Sequence, residues 1–200
     1  MKTTKEEIIK AAAFLFMTEG YHGASVSKIS GAVGLQKGSL FSHFSCKDEI
    51  YQKVVERFIL NQQKPAQKFG DISSCSLHDF LGIYLTNIDR VMKHLRNIFP
   101  SEEVYAVDYI SFVLQASKKV EASKTLFMRI NQEELEVWET IIQRAKDSGE
   151  IKEDVDVVWA SKIFRYSFNG MSYIFSIDGG VSIDQLEDVF FKFYNTLKKD

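Results

Sequence analysis

Cysteine and proline are nearly missing from this 200-residue chain: Cys46 and Cys75 are its two thiols, Pro65 and Pro100 its two prolines. Two thiols exclude a disulfide framework and a zinc cluster built from cysteine alone. No run of about 18 apolar residues occurs, which excludes a helical membrane span. The opening MKTTKEEIIK has neither an apolar stretch nor a small-residue cleavage site, so no secretion signal is read there. The expected location is cytoplasmic, with no membrane partner. What is present is ordinary for a globular chain, with 45% apolar and 26% charged residues and a formal net charge of -2. That length buries a core.

Proline breaks helices because it has no N–H to donate and clashes with the preceding turn. A chain with two of them, and few alternating β-branched stretches, can be mostly helical. Apolar residues recur at steps of three and four, as at Ile8, Ala12, Leu15 and Phe16, and more loosely from Leu126 through Ile130, Leu135, Trp138 and Ile142. The spacing predicts an all-α protein with helices near 5–19, 26–33, 37–43, 47–63, 76–96, 101–118, 121–147, 156–175 and 182–198. The expected breaks are Gly20, Gly34, Pro65–Gly70, Phe99–Pro100, Ser148–Gly149 and Asp178–Gly180.

Charge is divided unevenly. Residues 1–47 carry six lysines against three glutamates, whereas residues 48–200 carry 19 basic and 24 acidic groups. A basic head on an acidic body suits a head that meets a polyanion. The head also carries a motif. Thr4-Lys5-Glu6-Glu7 is a capping box, and Gly20 is suited to ending the helix that it opens. Ser25 is a good N-cap for a short helix with Ile29 and Val33 on its inner face. Gly34 permits a sharp turn, Leu35 fills the corner, and Leu40 and Phe44 return to the same core. Such a spacing is a helix-turn-helix. Small Ser30 lets the two helices approach. The second helix then presents Gln36, Lys37, Ser39 and Ser42, hydrogen-bonding and cationic groups with no acid among them.

Ile8-Ile9-x-Ala11-Ala12-x-x-Leu15-Phe16-x-x-x-Gly20-Tyr21, the segment Ser25 through Phe44, and Cys46-Lys47-Asp48-Glu49-Ile50 together resemble the DNA-binding head of TetR-family transcriptional regulators. The resemblance covers roughly residues 5–55, with a fainter echo in Gly149-Glu-Ile-x-x-Asp154-Val-Asp156. It implies a helix-turn-helix domain over residues 1–47 and a larger helical ligand-binding and dimerisation domain over 48–200. Residues 36–43 become the recognition helix, with Gln36 and Lys37 on base edges, since Lys donates to guanine and Gln pairs with adenine. Gly38 lets the backbone approach DNA. Ser25, His43 and Lys47 stand where relatives grip phosphates, contacts that position without reading sequence. Three departures stand out. Phe41 replaces a customary Tyr and offers packing on sugar or a thymine methyl instead of a hydroxyl. Ser30 replaces Ala. Cys46 replaces a Ser that would cap the fourth helix with Glu49, and beside Lys47 it is either a passive small residue or an oxidant-sensitive thiol.

Residues 156–175 and 182–198 are apolar over a wide arc: Val157, Ala160, Ile163, Phe164, Phe168, Met171, Ile174 and Phe175, then Leu186, Val189, Phe190, Phe193 and Leu197. Such helices must be covered on more than one side. The resemblance implies that they form a four-helix interface with a second copy, Gly170 and Ala160 permitting close crossing, so the homodimer would read a palindromic operator in double-stranded DNA. It also implies an inducer pocket for an unknown small molecule. Aromatic and polar residues that suit such a lining are Tyr84, Asn87, Tyr105, Asp108, Tyr109, Phe112, Gln115, Trp138, Arg165 and Asn169, although aromatics at this spacing equally suit a plain core. Asp108 would favour a cationic ligand and Arg165 an acyl or carboxylate one.

The dipeptide His78-Asp79 occurs in helical metal-dependent hydrolases, but its histidine companions His22 and His43 both lie in the head. No Gly-rich phosphate loop, Gly-x-Ser-x-Gly elbow or His-Glu-x-x-His motif is present. The expected function is therefore a DNA-binding regulator, most readily a repressor, with no catalysis, cofactor or metal. The alternatives are that hydrolase and a DNA-bound docking protein without inducer response.

Overall fold

The computed structural model describes residues 4–61, 69, 72, 74–98 and 106–199. Its regular elements are helices: α1 (Lys5–Gly23), α2 (Val26–Ala32), α3 (Lys37–Leu40), α4 (Lys47–Val55), α5 (Leu77–Ile98), α6 (Ala106–Lys119), α7 (Glu121–Asp147), α8 (Val157–Phe175) and α9 (Ile183–Leu197). One antiparallel bridge joins Ile151 and Lys198. No helix among the described residues is long and apolar enough to cross a membrane. The all-helical expectation holds, with two corrections. The recognition helix is α-helical over Lys37–Leu40 rather than 37–43, because Phe41 (φ -70, ψ -10) turns the chain into hydrogen-bonded turns, His43 N–H donating to Leu40 O at 3.0 Å. The fourth helix runs on as a π-helical turn over Glu56–Leu60, which apolar spacing did not announce. The expected breaks at Pro65–Gly70, apart from Phe69, and at Phe99–Pro100 lie outside the described residues.

The chain forms two compact units, residues 1–62 with 99–127 and residues 63–98 with 128–200. The first contains the 1–47 head together with α4 and α6. Its α1 starts in a complete capping box: Thr4 Oγ1 accepts from Glu7 N–H at 3.2 Å, and Glu7 Oε2 accepts from Thr4 N–H at 2.8 Å. The buried face of α1 is Ile8, Ala12, Ala13, Phe16 and Met17. Against it α4 sets Tyr51, edge-on to Phe16 at 4.9 Å, and α6 sets Phe112, edge-on to Tyr51 at 5.5 Å. Full burial of each such side chain contributes about 1.5–3 kcal/mol.

Regular helix ends at Gly20, whose φ of 71 and ψ of 173 belong to a region reserved for glycine. A Cβ there would also stand 3.3 Å from Gln115 Oε1. Gly20→Ala is therefore expected to cost about 1–3 kcal/mol, read as a lower urea midpoint at unchanged slope. A cost near zero would mean that the bend relaxes freely.

The second unit packs α5, α7, α8 and α9 around Trp138. The indole stacks on Phe164 at 4.9 Å and meets Phe80 and Tyr84 edge-on at 4.8 and 5.1 Å. Gly149 (φ 76) turns the chain after α7, and the next residue ties the unit together. The Glu150 carboxylate accepts from the N–H groups of Leu77 and His78, both at 2.8 Å, and from the Tyr194 hydroxyl at 3.1 Å. One side chain thus closes the start of α5 and anchors α9. Burial, aided by that carboxylate, pushes the Tyr194 hydroxyl up to about 12. Asp156 caps α8 by accepting from Trp159 N–H at 2.9 Å.

Candidate nucleic-acid interface

Between Gly20 and Lys47 the chain holds Lys28, Lys37 and Lys47 and no acidic residue, and Lys28 is paired with Glu19 at 2.5 Å, just outside that stretch. The helix-turn-helix is fixed by a few local bonds. Ser25 Oγ accepts from Lys28 N–H at 3.1 Å and starts α2. Gly34 adopts φ 68, and the turn closes with Leu35 N–H donating to Ser30 O at 2.8 Å. Ser30 is buried and its hydroxyl donates to Ser27 O at 3.1 Å, so the small polar residue is satisfied at the point where α2 and α3 meet. Ile29, Leu40 and Phe44 are buried inward, while Val33 and Leu35 are half-buried.

That packing sends the other side of α3 outward. Gln36, Lys37, Gly38, Ser39, Phe41 and Ser42 are all exposed, and His43 is half-buried. Phe41 keeps 45% of its surface, a large apolar side chain among polar neighbours. Nothing lies within 4 Å of a Cβ built on Gly38, so no protein contact demands glycine there. Ser42 Oγ donates to Ser39 O at 2.7 Å, which leaves its oxygen as an acceptor. At α4, Cys46 makes no side-chain capping bond. Glu49 is instead held from one residue earlier, accepting from Ser45 N–H at 2.6 Å and Ser45 Oγ at 2.7 Å.

Lys47 belongs to a cluster that sequence spacing did not indicate. Its Nζ lies 4.1 Å from the centre of the Tyr21 ring, and Lys119 Nζ of α6 lies 3.6 Å from that same centre. Tyr21 donates its hydroxyl to Asp48 Oδ1 at 2.7 Å, and Lys119 reaches the same oxygen at 3.3 Å. These bonds, the tyrosine's first and then the lysine's, hold the Asp48 carboxyl below its ordinary value. Partial burial, then the charge of Lys119, lowers Lys47. Tyr21 was visible as part of the head's motif. Lys119 is far away in sequence and had no signal.

The ten pocket candidates are divided. Tyr105 lies outside the described residues. Asp108, Tyr109, Phe112 and Gln115 belong to the first unit, where Phe112 packs on Tyr51 and Gln115 lies alongside Gly20. Tyr84, Asn87, Trp138, Arg165 and Asn169 belong to the second. Tyr84 and Trp138 are wholly buried, and among the described residues neither Tyr84 Oη nor Trp138 Nε1 meets a hydrogen-bond partner. Asn87 accepts from Arg90 at 2.7 Å. Arg165 hydrogen-bonds Asn169 and forms a buried ion pair with Glu134 at 2.5 Å, a partner that sequence reading did not identify. An open groove of about 440 Å³ runs past His78, Asp79, Gly82, Thr86, Asn87 and Phe191. The His78 ring meets Phe191 and Tyr194 edge-on at 5.3 and 5.7 Å. Among the described residues no three His, Cys, Asp or Glu side chains gather as a metal site.

On α8 one stripe faces inward and another outward. Ala160 and Phe164 are fully buried in the unit's own core, so Ala160 is not available for close helix crossing with a second copy. Outward lie Trp159, Tyr166 and Tyr173, each more than half exposed, with Ile174 at 59% and, in the turn just past the helix, Ile177 at 77%. Gly170 is exposed on the same helix with open space about it.

Residues 8–54 match the model of the bacterial regulatory proteins, tetR family. The repressor KstR2 of Mycolicibacterium smegmatis is 21% identical over 163 residues, covering 80% of this chain and 74% of that protein. The biofilm operon negative regulator IcaR of Staphylococcus epidermidis is 44% identical over 52 residues, 26% of this chain and 28% of that one. Among solved structures, the ketosteroid regulator KstR2 of Mycobacterium tuberculosis superposes with a TM-score of 0.68 at 16% identity, covering 100% of this chain and 97% of that one, which is a likeness of fold. The acid-free helix-turn-helix and the family match over it lead to one conclusion: residues 8–54 are a DNA-binding head of the bacterial regulatory proteins, tetR family, on a chain whose helical fold is shared with a solved regulator.

Proposed function

We propose that this protein is a homodimeric transcriptional repressor that binds a palindromic DNA operator through residues 25–47 and leaves it when a small molecule occupies the helical body. The observation that carries the reading is the outward side of α3 and its flanks, where Gln36 at the N-cap, Lys37, Ser39 and, in the turn beyond, Ser42 stand exposed after the Gly34 turn. Gln36 and Lys37 read base edges; Ser25, His43 and Lys47 grip phosphates. Residues 48–200 supply dimerisation and ligand response. The repressing sense is that of KstR2 and IcaR by name.

The outward stripe of α8 supports the dimer. Trp159, Tyr166 and Tyr173 recur at seven-residue intervals, the repeat with which paired helices bury a seam. The buried hydroxyl of Tyr84 and indole N–H of Trp138 support a ligand, since buried polar atoms without partners are uncommon. Arg165 no longer argues for an anionic ligand, because Glu134 already neutralises it.

Selection of sites from random duplex DNA tests the proposal. The expected result is a palindromic consensus whose affinity falls steeply with salt. Lys47→Ala should weaken all sequences alike and reduce the salt slope by about 1, whereas Gln36→Ala or Lys37→Ala should cost about 1–3 kcal/mol and relax one or two base positions. A pool without consensus would reject sequence reading by α3.

A further inference from the structure

We propose that Lys119, on α6 and outside the three-helix head, is a positioning residue for DNA binding: it neutralises Asp48 so that the adjacent Lys47 stays available to a backbone phosphate. The inference rests on the phosphate role of Lys47 proposed above and adds a partner for it. Two ammonium groups and one carboxylate converge on a single phenol. Lys119 is tied twice, 3.3 Å from Asp48 Oδ1 and 3.6 Å from the Tyr21 ring centre, while Lys47 lies 4.1 Å from that ring. Tyr21 fixes the carboxylate by donating to it at 2.7 Å.

The reason a compensating cation matters is the position of Asp48. It is in the first turn of α4, where an acid is favourable to the helix because it faces the positive end of the dipole. Its side chain is 60% exposed, so the same charge also faces an arriving phosphate and repels it. It is besides the sequence neighbour of Lys47, whose ammonium it attracts. Lys119 removes both effects. Its own ammonium is engaged by the carboxylate and the ring, which is the disposition of a charge compensator rather than of a free phosphate ligand. Asp48 keeps its helix-starting role without cost to the DNA face.

The test is a charge cycle read on the duplex recovered by site selection, with affinity measured over a range of salt. K119Q should bind about three- to ten-fold more weakly near 0.1 M salt, the effect expected of an unscreened charge at the surface. Its salt slope should be shallower, and K119R should stay near the wild-type chain. Adding D48N to K119Q removes the uncompensated carboxylate and should return affinity to within about two-fold and restore the slope. D48N alone should bind at least as tightly as wild type, a measurement that does not depend on K119Q folding. Unchanged binding by K119Q, a weakened K119Q that D48N fails to rescue, or a weakened D48N each overturns the proposal. The second of these would make Lys119 itself the phosphate contact. K47Q separates the two layers. If K47Q leaves the slope untouched, the Lys47 reading fails; if K47Q flattens it and K119Q does nothing, the role of Lys119 alone fails.

Discussion

Arg165→Met is expected to lower folding stability by about 3–5 kcal/mol, because it strands the Glu134 carboxylate without its cation. Glu134 is fully buried and Arg165 nearly so, and they meet at 2.5 Å inside an aromatic core. Desolvating two ions is costly, and their mutual attraction offsets that cost only while both are present. The double replacement Glu134→Leu with Arg165→Met is therefore expected to recover most of the loss, and to match or exceed the native stability if the apolar pair packs well. Urea melts of the two single variants and the double one measure this directly. An Arg165→Met cost below about 1 kcal/mol would mean that water reaches Glu134 and that the pair is not buried in solution.

On the proposed homodimer, Tyr166→Glu is expected to turn the dimer into a monomer and to weaken operator binding by about 100-fold or more. Tyr166 is the middle member of the Trp159, Tyr166, Tyr173 stripe and is 51% exposed. In the proposed seam a carboxylate at this position would face its own symmetry mate, so repulsion would be added to desolvation. DNA binding suffers because two heads on one scaffold gain roughly 10²–10⁴ in avidity over one. Sedimentation at micromolar concentration reports the assembly, and a fluorescence titration reports the affinity. Since the side chain faces solvent in the monomer, the thermal melt of the second unit's core should remain cooperative. A Tyr166→Glu dimer would place the interface elsewhere.

What could be read in advance depended on how local the cause was. The capping box at Thr4 and Glu7, the bend at Gly20 and the turn at Gly34 are each decided within a few residues, and each is found where the sequence put it. The outward set on α3 was equally legible, because the inward positions Ile29, Leu40 and Phe44 left no other side for it. Partners far apart in sequence were not legible. Glu134 looks like any acid on a long charged helix, and only the fold brings it to Arg165. Lys119 looks like a helix-ending lysine, and only the packing of Phe112 on Tyr51 carries it to Asp48. Aromatic spacing was ambiguous for a related reason. It marks a side that must be covered, as for Trp138 and Trp159, but not whether the cover is the chain's own core, a ligand or a second copy.

The π-helical turn after α4 has a consequence for register. The buried residues there are Ile50, Tyr51, Val54, Val55, Phe58 and Ile59, a repeat of four rather than 3.6. In an unbroken α-helix such a repeat would drift round the axis by about 40° for every four residues, and Phe58 and Ile59 would rotate away from the neighbours of Ile50 and Tyr51. The wider turn over Glu56–Leu60 unwinds that drift and keeps three successive pairs on one side. In effect the helix carries a single added residue whose place is fixed by the apolar ladder. Removing Glu56 or Arg57 would let the turn close to ordinary α-helix and leave Phe58 and Ile59 seven positions after Ile50 and Tyr51, still on the same side, so the wider turn absorbs one residue without turning this ladder from its neighbours.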